Sequence, residues 1–437
     1  MKWRIVIATV AAFLLLGGVA GAWYYHDQTS THNVEGSSTV EFVTTDVPAG
    51  DTEAPATSAA APGSPRQLAA WPMYGYEPDR TRAANFPDLR PPFKTLWQRK
   101  TRLMEFPPVA AGGKLYVAES RGHFYAMNGA TGKIIWQHQF NRCSAGSPVY
   151  ADGVVYHGYM HTRCKRVPGA KGMVVAMDAT TGKLKWKVQS EVIESSLLYV
   201  KGALYFGGWD GRIVSLDART GKQRWSYKAD SGITSSVAYH NGTVFVGSDG
   251  GSFYALDASS GKLRWKSGSF SKFGKREYFY ATPAVAYGRV YAPNTDGYVY
   301  SFGEGSGKLL FARKVGTYVY SAPAIWRKTV YVGTYDGHLV ALDAATGNVK
   351  WRYATPAAVH GAATVVDGIV YFSTLKGRHS GSARFVKDGP GKTFGLNATT
   401  GKEVWRRNEG RYTPIIADGQ RVYFTGLGHL YGLEPTK

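Results

Sequence analysis

Short runs of alternating apolar and polar residues, separated by glycine-containing turns, recur from about residue 71 to the end of the chain. Each copy ends in a strand with one large aromatic residue, and these residues lie 39 to 54 positions apart: Trp97, Trp136, Trp186, Trp225, Trp265, Phe311, Trp351 and Trp405. Alternation with a period of two predicts β-strands. A repeat of this length is typical of propellers and solenoids.

Two further positions keep their character in every copy. The second strand of each copy has a central aromatic residue, at Tyr116, Tyr156, Tyr205, Phe245, Tyr291, Tyr331, Tyr371 and Tyr423. The third strand has a small residue, at Ala126, Ala176, Ser215, Ala255, Ser301, Ala341, Gly395 and Gly432. Because neighbouring residues of a strand face opposite sides of the sheet, the small residues leave room for aromatic residues of an adjacent sheet. The pattern therefore predicts stacked sheets.

The two ends of the repeat array complement each other. The last copy stops after three strands, at Leu430 to Glu434, and Trp97 precedes the first complete copy. An N-terminal strand that completes the last sheet would remove an exposed sheet edge. We expect an all-β fold, an eight-bladed β-propeller of four-stranded antiparallel blades closed in this way, with residues 71–437 as one domain.

The repeat resembles that of a known family. Residues Asp217 to Trp225 and Asp343 to Trp351 carry the Asp-Ala-x-Thr-Gly motif before the tryptophan, and Trp71 to Gly75 resembles the start of such domains. These features are similar to the pyrroloquinoline-quinone-like (PQQ repeat) β-propellers. The resemblance implies either a PQQ-dependent dehydrogenase with calcium or a noncatalytic propeller, like the assembly lipoprotein of the outer-membrane β-barrel machinery.

The chemistry of the dehydrogenases is not recognisable in the sequence. The two cysteines are not adjacent, and the chain has no Cys-x-x-Cys-His, Gly-x-Ser-x-Gly or His-Glu-x-x-His motif. We therefore assign no catalytic, cofactor-binding or metal residues, and we expect no cofactor. PQQ with calcium belongs only to the alternative hypothesis of a dehydrogenase.

The N-terminal region predicts a membrane anchor and a linker. Lys2 and Arg4 precede an uncharged stretch over residues 5–25, which is long enough for one bilayer crossing. Residues 1–25 are predicted to be a signal-anchor transmembrane segment, with the propeller on the extracytoplasmic side of the cell membrane. Cleavage near Ala20-Gly21-Ala22 is the alternative. Residues 26–70, rich in Ser, Thr, Ala and Pro, are predicted to be a disordered linker.

The two cysteines, Cys143 and Cys164, lie in the second copy of the repeat. In an exported domain, a disulfide between them is expected. A zinc site with His157 and His161 and a pair of free thiols are the alternatives.

Positive charge and long insertions indicate where a partner binds. Residues 71–437 contain 49 basic and 25 acidic side chains, an excess that attracts polyanions. Insertions at 160–171, 267–280 and 373–392 fall at the same end of their blades in an up-and-down topology. The predicted binding face consists of Arg163, Lys165, Arg166, Lys272, Phe273, Lys275, Arg276, Tyr278, Arg378, Arg384 and Lys387.

The sequence therefore favours a noncatalytic, monomeric binding or scaffold module. Its expected partners are an envelope protein or an anionic envelope polymer, without specific nucleic-acid recognition. A PQQ-dependent dehydrogenase and an extracellular sensor of small ligands are the alternative functions.

Overall fold

The computed structural model describes residues 32–51, 70–165, 167–270, 278–375, 391–412 and 415–436. Within these ranges the chain forms eight sheets and one helical turn, at Ala49–Asp51. None of the helical structure in this part of the chain is long and apolar enough to cross a bilayer. The predicted transmembrane segment 1–25 lies outside the described residues.

Each sheet is one blade of an eight-bladed all-β propeller, and we number the blades in chain order. The first four blades, written from inner to outer strand, are as follows. Blade 1 comprises Val109–Ala111, Lys114–Ala118, His123–Asn128 and Ile134–Gln139; blade 2 Val149–Ala151, Val154–Tyr159, Gly172–Asp178 and Leu184–Ser190; blade 3 Leu198–Val200, Ala203–Gly207, Arg212–Asp217 and Gln223–Lys228; blade 4 Ala238–His240, Thr243–Gly247, Ser252–Asp257 and Leu263–Gly268.

The next three blades repeat this arrangement. Blade 5 comprises Ala284–Ala286, Arg289–Pro293, Tyr298–Gly303 and Leu309–Lys314; blade 6 Ala324–Trp326, Thr329–Thr334, His338–Asp343 and Val349–Ala354; blade 7 Thr364–Val366, Ile369–Ser373, Thr393–Asn397 and Glu403–Arg407. A short strand, Ala83–Ala84, pairs in parallel with the inner strand of blade 7.

Blade 8 contains strands from both ends of the described chain. Its inner strands are Ile416–Ala417, Val422–Thr425 and His429–Pro435, and its outer strand is Phe93–Lys100. Phe93–Lys100 pairs antiparallel with His429–Pro435, and Trp97 lies opposite Gly432. The strand arrangement expected from the incomplete last repeat is thus present.

The strand register explains the three recurring positions. In blade 3, Ser215 is paired with Tyr205 on one side and with Trp225 on the other. The equivalent pairs in blade 6 join Ala341 to Tyr331 and Trp351. A small residue between two large rings lets both rings lie over it, so the recurring pattern is a packing requirement within each blade.

The glycine turns pack against the neighbouring blade. Gly221 has a φ of +72°, and a Cβ there would lie 2.9 Å from Trp186 Cε3 of the preceding blade. Trp186 Nε1 donates a hydrogen bond of 3.0 Å to the carbonyl of Ala218 in the same turn. The Thr-Gly-Lys turn therefore covers the tryptophan of its neighbour, and this contact recurs around the propeller, for example between Gly132 and Trp97.

The two ends of the propeller differ. In each blade, the connection to the next blade and the turn between the second and third strands lie at one end, which we call the insertion end. The turns between strands one and two and between strands three and four lie at the other end, which we call the turn end. The strands that flank the long segments 160–171, 269–283 and 374–392 end and begin at the insertion end.

Residues 71–84 form an axial segment that follows the inner strands around the channel. The main chain of this segment accepts hydrogen bonds of 2.7 to 3.0 Å from inner-strand N–H groups of six blades, at Ala110, Tyr150, Tyr239, Val285, Ile325 and Val365. The side chain of Arg80 reaches the carbonyl oxygens of Leu197 and Val237 at 3.1 and 2.9 Å. The axial segment thus ties seven blades together from inside the channel.

Residues 32–51 form a strap on the propeller surface, and this differs from the disordered linker predicted over 26–70. The main chain of Val34 bridges to Ala312 in the outer strand of blade 5. Val43 N–H donates to Tyr287 O at 2.9 Å, and Asp51 accepts a hydrogen bond from Arg327 N at 2.6 Å. The remainder of the predicted linker, 26–31 and 52–69, lies outside the described residues, and residue 70 precedes the axial segment.

Candidate functional site

A disulfide braces the insertion of blade 2. Cys143 and Cys164 are bonded, with their Cα atoms 5.3 Å apart. Arg142 supports the same loop through a hydrogen bond of 3.0 Å from Nη1 to the carbonyl of Lys171. The bonded sulfur atoms exclude both the zinc site and the free thiols considered from sequence.

The two histidines of this region have structural partners. His157 is buried, lies 2.7 Å from Ser144 Oγ through Nε2, and burial lowers its pKa to about 3. His161 Nδ1 accepts a hydrogen bond of 3.1 Å from Arg163 N, and its Nε2 contacts the carbonyl of Lys165. His161 therefore shapes the loop main chain.

Three residues of the predicted binding face lie in the described part of the chain. Arg163 and Lys165 are exposed on the disulfide-braced loop. Tyr278 is half-buried, and its N–H donates to Thr295 Oγ1 at 2.8 Å. The other predicted residues lie outside the described residues: Arg166, Lys272, Phe273, Lys275, Arg276, Arg378, Arg384 and Lys387.

An axial cavity of about 200 Å³ opens at the insertion end. The axial segment contributes Tyr74 to it, and connections between blades form the rest of its wall. The lining includes Tyr74, Glu105, Phe106, Thr234, Tyr280, Tyr320, His360 and Tyr412. The sequence had not indicated this cavity.

One position of the repeat supplies six residues of this lining. The residue four places before each inner strand is, from blade 1 to blade 8, Glu105, Ala145, Glu194, Thr234, Tyr280, Tyr320, His360 and Tyr412. We call these residues the axial ring. Its aromatic members are consecutive, on blades 5 to 8, and its two carboxylates are on blades 1 and 3.

The aromatic members of the axial ring contact one another. The ring of Tyr320 is stacked on that of His360, with centroids 5.5 Å apart and an interplanar angle of 17°. Tyr280 meets Tyr320 edge-on at 5.0 Å, and Tyr412 meets His360 edge-on at 5.2 Å. The hydroxyl of Tyr335 is hydrogen-bonded to His360 Nδ1. These contacts fix a continuous aromatic wall.

The carboxylates act electrostatically on this wall. Burial raises the pKa of Tyr280 well above its ordinary value, and the charges of Glu194 and Glu105 raise it further. Burial also raises the pKa of Glu105, against the lowering effect of Arg411. Tyr280 is therefore a neutral phenol, and the carboxylates influence it across the channel.

One further group of metal-ligand side chains occurs in the described residues, at the turn end, where the strap crosses blade 4. His240 Nε2 lies 3.2 Å from Asp46 Oδ1, and His240 Nδ1 lies 2.8 Å from Glu304 Oε1. Burial lowers the pKa of His240, but the hydrogen bonds and charges of Asp46 and Glu304 outweigh it and raise the pKa to about 10. A protonated imidazole has no lone pair for a metal, so this triad is an ionic clamp on the strap.

The fold and these surfaces define a PQQ-like β-propeller with long loops at its insertion end. The chain matches the family described as outer membrane protein assembly factor BamB over residues 94–232 and 209–424, and it belongs to that family. The recognition made from the repeat motif is thus confirmed.

A curated relative gives a more local match. The assembly factor BamB of Moranella endobia (strain PCIT) is 30% identical over 93 residues, which is 21% of this chain and 21% of that protein. The chain thus aligns with about a fifth of the length of this relative.

Solved structures share the fold. BamB from Moraxella catarrhalis superposes with a TM-score of 0.64 at 18% identity, covering 78% of this chain and 99% of that structure. The quinohemoprotein alcohol dehydrogenase ADHIIG from Pseudomonas putida HK5 superposes with a TM-score of 0.67 at 13% identity, covering 84% and 80%. At these identities the similarity concerns architecture and leaves function to the residues of the site.

Proposed function

We propose that this protein is a noncatalytic, membrane-tethered propeller that holds an envelope protein or an anionic envelope polymer at its insertion end, outside the cytoplasm. The observation that carries the proposal is the asymmetry of the two ends. The strap crosses the turn end over blades 4 to 6. The insertion end instead presents a braced loop with exposed Arg163 and Lys165.

The charge of the propeller supports this partner class. The excess of basic over acidic side chains in residues 71–437 attracts polyanions and acidic protein surfaces. Loops held on a rigid scaffold are common binding sites. The disulfide lowers the conformational freedom of the loop that carries Arg163, which reduces the entropy lost on binding.

The position of the first described strap residues limits the distance between the propeller and a membrane anchor. His32 N–H donates to the hydroxyl of Tyr298 at 3.0 Å, and Lys314 N–H donates to Asn33 Oδ1 at 2.8 Å. Both partners lie at the insertion end of blade 5, so the described part of the strap begins there. If residues 5–25 cross the membrane, residues 26–31 span at most about 22 Å. The insertion end would then lie much closer to the bilayer than a long flexible linker would place it.

A charge-reversal experiment tests the proposed binding face. Arg163, Lys165, Lys272 and Lys275 are changed to Glu at the insertion end, and the matched control changes Lys133, Lys183, Lys222 and Lys262 to Glu at the turn end. The control lysines are exposed, three of them on Thr-Gly-Lys turns and Lys262 on the equivalent Ser-Gly-Lys turn. We expect crosslinking on intact cells, read by mass spectrometry, to lose partners at least tenfold only for the first variant. Equal loss in both variants would assign binding to net charge, and unchanged partners would refute the face.

The dehydrogenase alternative has a direct test. Purified protein is mixed with pyrroloquinoline quinone and calcium, and dye reduction by alcohols and aldoses is followed. The proposal expects no stoichiometric absorbance change and no turnover. A tight stoichiometric complex that reduces dye would replace the scaffold function with an enzymatic one.

A further inference from the structure

The axial ring divides into two chemically different halves, and this division carries an inference beyond the proposed scaffold function. Blades 5 to 8 contribute Tyr280, Tyr320, His360 and Tyr412. In an eight-bladed ring, blade 1 lies opposite blade 5 and beside blade 8, so Glu105 lies across the channel from Tyr280 and next to Tyr412. A repeat position that serves only packing is expected to have similar residues in all eight blades, as the small residues of the third strands show. The asymmetry therefore indicates a ligand.

We infer that the axial cavity binds a cationic group, an alkylammonium or a guanidinium, between the aromatic half of the axial ring and the carboxylate of Glu105. Aromatic faces attract cations, and the attraction grows when water is excluded. Burial raises the pKa of Tyr280 and of Tyr320, so these two phenols are neutral and keep their electron-rich faces, and Glu105 supplies the counter-charge at the mouth.

The surroundings of Glu105 support this assignment. In the described part of the chain, its carboxylate has no hydrogen bond or ion pair within 4 Å, and it reaches solvent at the cavity mouth. Arg411 is close enough to lower the pKa of Glu105, but its guanidinium lies over the ring of Tyr412 at 4.9 Å. The protein thus already places one cation on an aromatic ring at this rim.

The size of the cavity limits the ligand to a single group. A volume of about 200 Å³ is below that of typical sites for drug-sized molecules. It suits a trimethylammonium or guanidinium head. Two sources share this chemistry, a free small cation and an Arg or Lys side chain that a partner inserts into the channel.

The buried arginines below the cavity define the opposing hypothesis. Arg82 lies over the ring of Tyr74 at 4.6 Å, and its Nε and Nη2 have no hydrogen-bond partner among the described residues. Its Nη1 donates to the carbonyls of Arg80 and Pro323. If these cations controlled the cavity, it would prefer an anion. Because Tyr74 lines the cavity and Arg82 does not, we expect the aromatic and carboxylate groups to dominate.

The test uses the full-length protein in a nonionic detergent and isothermal titration calorimetry. The probes are tetramethylammonium chloride, the neutral tert-butanol of similar size, sodium acetate, and acetyl-Gly-Arg-Gly amide. We expect saturable binding of tetramethylammonium or of the peptide. Tighter binding of the peptide would indicate a partner side chain, and binding of tetramethylammonium alone would indicate a free small cation. Equal binding of tert-butanol, preferred binding of acetate, or no binding of either cation would overturn the inference.

Variants separate the cation site from a general effect on the fold. Tyr320→Leu and Glu105→Gln should each weaken cation binding about 10-fold, while Tyr320→Phe, which keeps the ring, should retain it. The control is Glu434→Gln, which removes the charge of a surface carboxylate on blade 8 that forms an ion pair with Lys94. This variant should bind the cation as tightly as the natural protein. If Glu105→Gln and Glu434→Gln weaken binding equally, the effect is net charge and the site is wrong. Reversal of the basic loops should leave tetramethylammonium binding intact, so this inference and the proposed function fail separately.

Discussion

The Nε of Arg289 donates a hydrogen bond of 2.9 Å to the carbonyl oxygen of Glu41, 248 residues earlier in the chain. The Nη2 of the same guanidinium donates to the carbonyls of Ser37 and Val40 at 2.6 and 2.5 Å. Arg289 has no exposed surface. A buried cation needs such acceptors, so the strap and blade 5 stabilise each other.

Replacing Arg289 by Met should release the strap. The change removes the charged donor for three strap carbonyls while keeping much of the aliphatic volume. Because hydrogen bonds to charged groups are strong, we expect a loss of about 2 to 4 kcal/mol in the free energy of unfolding. Hydrogen exchange of residues 37–46, together with denaturant unfolding, measures both effects.

The control for the Arg289 variant is Arg264→Met. Arg264 is 42% exposed and pairs with Asp257 at the surface of blade 4, where an ion pair contributes little. Slow exchange of residues 37–46 that persisted in Arg289→Met would show that the other strap contacts suffice.

The ionic clamp at His240 should make the strap sensitive to high pH. Its pKa is raised to about 10 from an ordinary value of 6.5. The clamp's contribution to stability is therefore fully present below pH 6.5 and is lost as pH rises through about 10. We expect the difference in unfolding free energy between the natural protein and His240→Gln to shrink from pH 6 to pH 10.5. A pH-independent difference would contradict a charged His240.

The blades could be predicted from sequence because their signals are local and repeated. The small residue opposite two rings, as in Tyr205, Ser215 and Trp225, recurs in every copy, and in the first seven copies it lies ten residues before the aromatic residue of the fourth strand. Eight copies average out the ambiguity of any single strand. The completion of blade 8 by Phe93–Lys100 followed from the count of strands.

The strap could not be predicted in the same way. Its main contacts use its own main-chain carbonyls, to which Arg289 donates, and a carbonyl carries no residue-type signal. Its composition also resembles that of an unfolded segment. The axial ring was missed for another reason: Tyr280 and His360 stand outside the strands, and their shared position emerges only when copies are aligned on the inner strand.

Loss of the disulfide should loosen the insertion of blade 2 without unfolding the propeller. Cys143 and Cys164 close a loop with a sequence separation of 21, for which chain entropy predicts about 3 kcal/mol of stabilisation. We expect the Cys143→Ser, Cys164→Ser double variant to lose about that amount and to be cut by trypsin first near Arg163. The natural protein under the same non-reducing conditions is the control. An unchanged cleavage pattern would show that Arg142 and the loop contacts hold the segment alone.

The contact between Gly221 and Trp186 should distinguish packing between blades from backbone strain within a turn. Gly153 provides a matched control because its φ of +74° is close to the +72° of Gly221, yet a Cβ there would meet nothing within 4 Å. Both Gly→Ala variants adopt a left-handed conformation that costs about 1 to 2 kcal/mol. Gly221→Ala must also displace the Trp186 ring, and overpacking costs about 1 to 3 kcal/mol more. Denaturant unfolding of the two variants measures this difference, and equal losses would show that the turn glycine serves the backbone only.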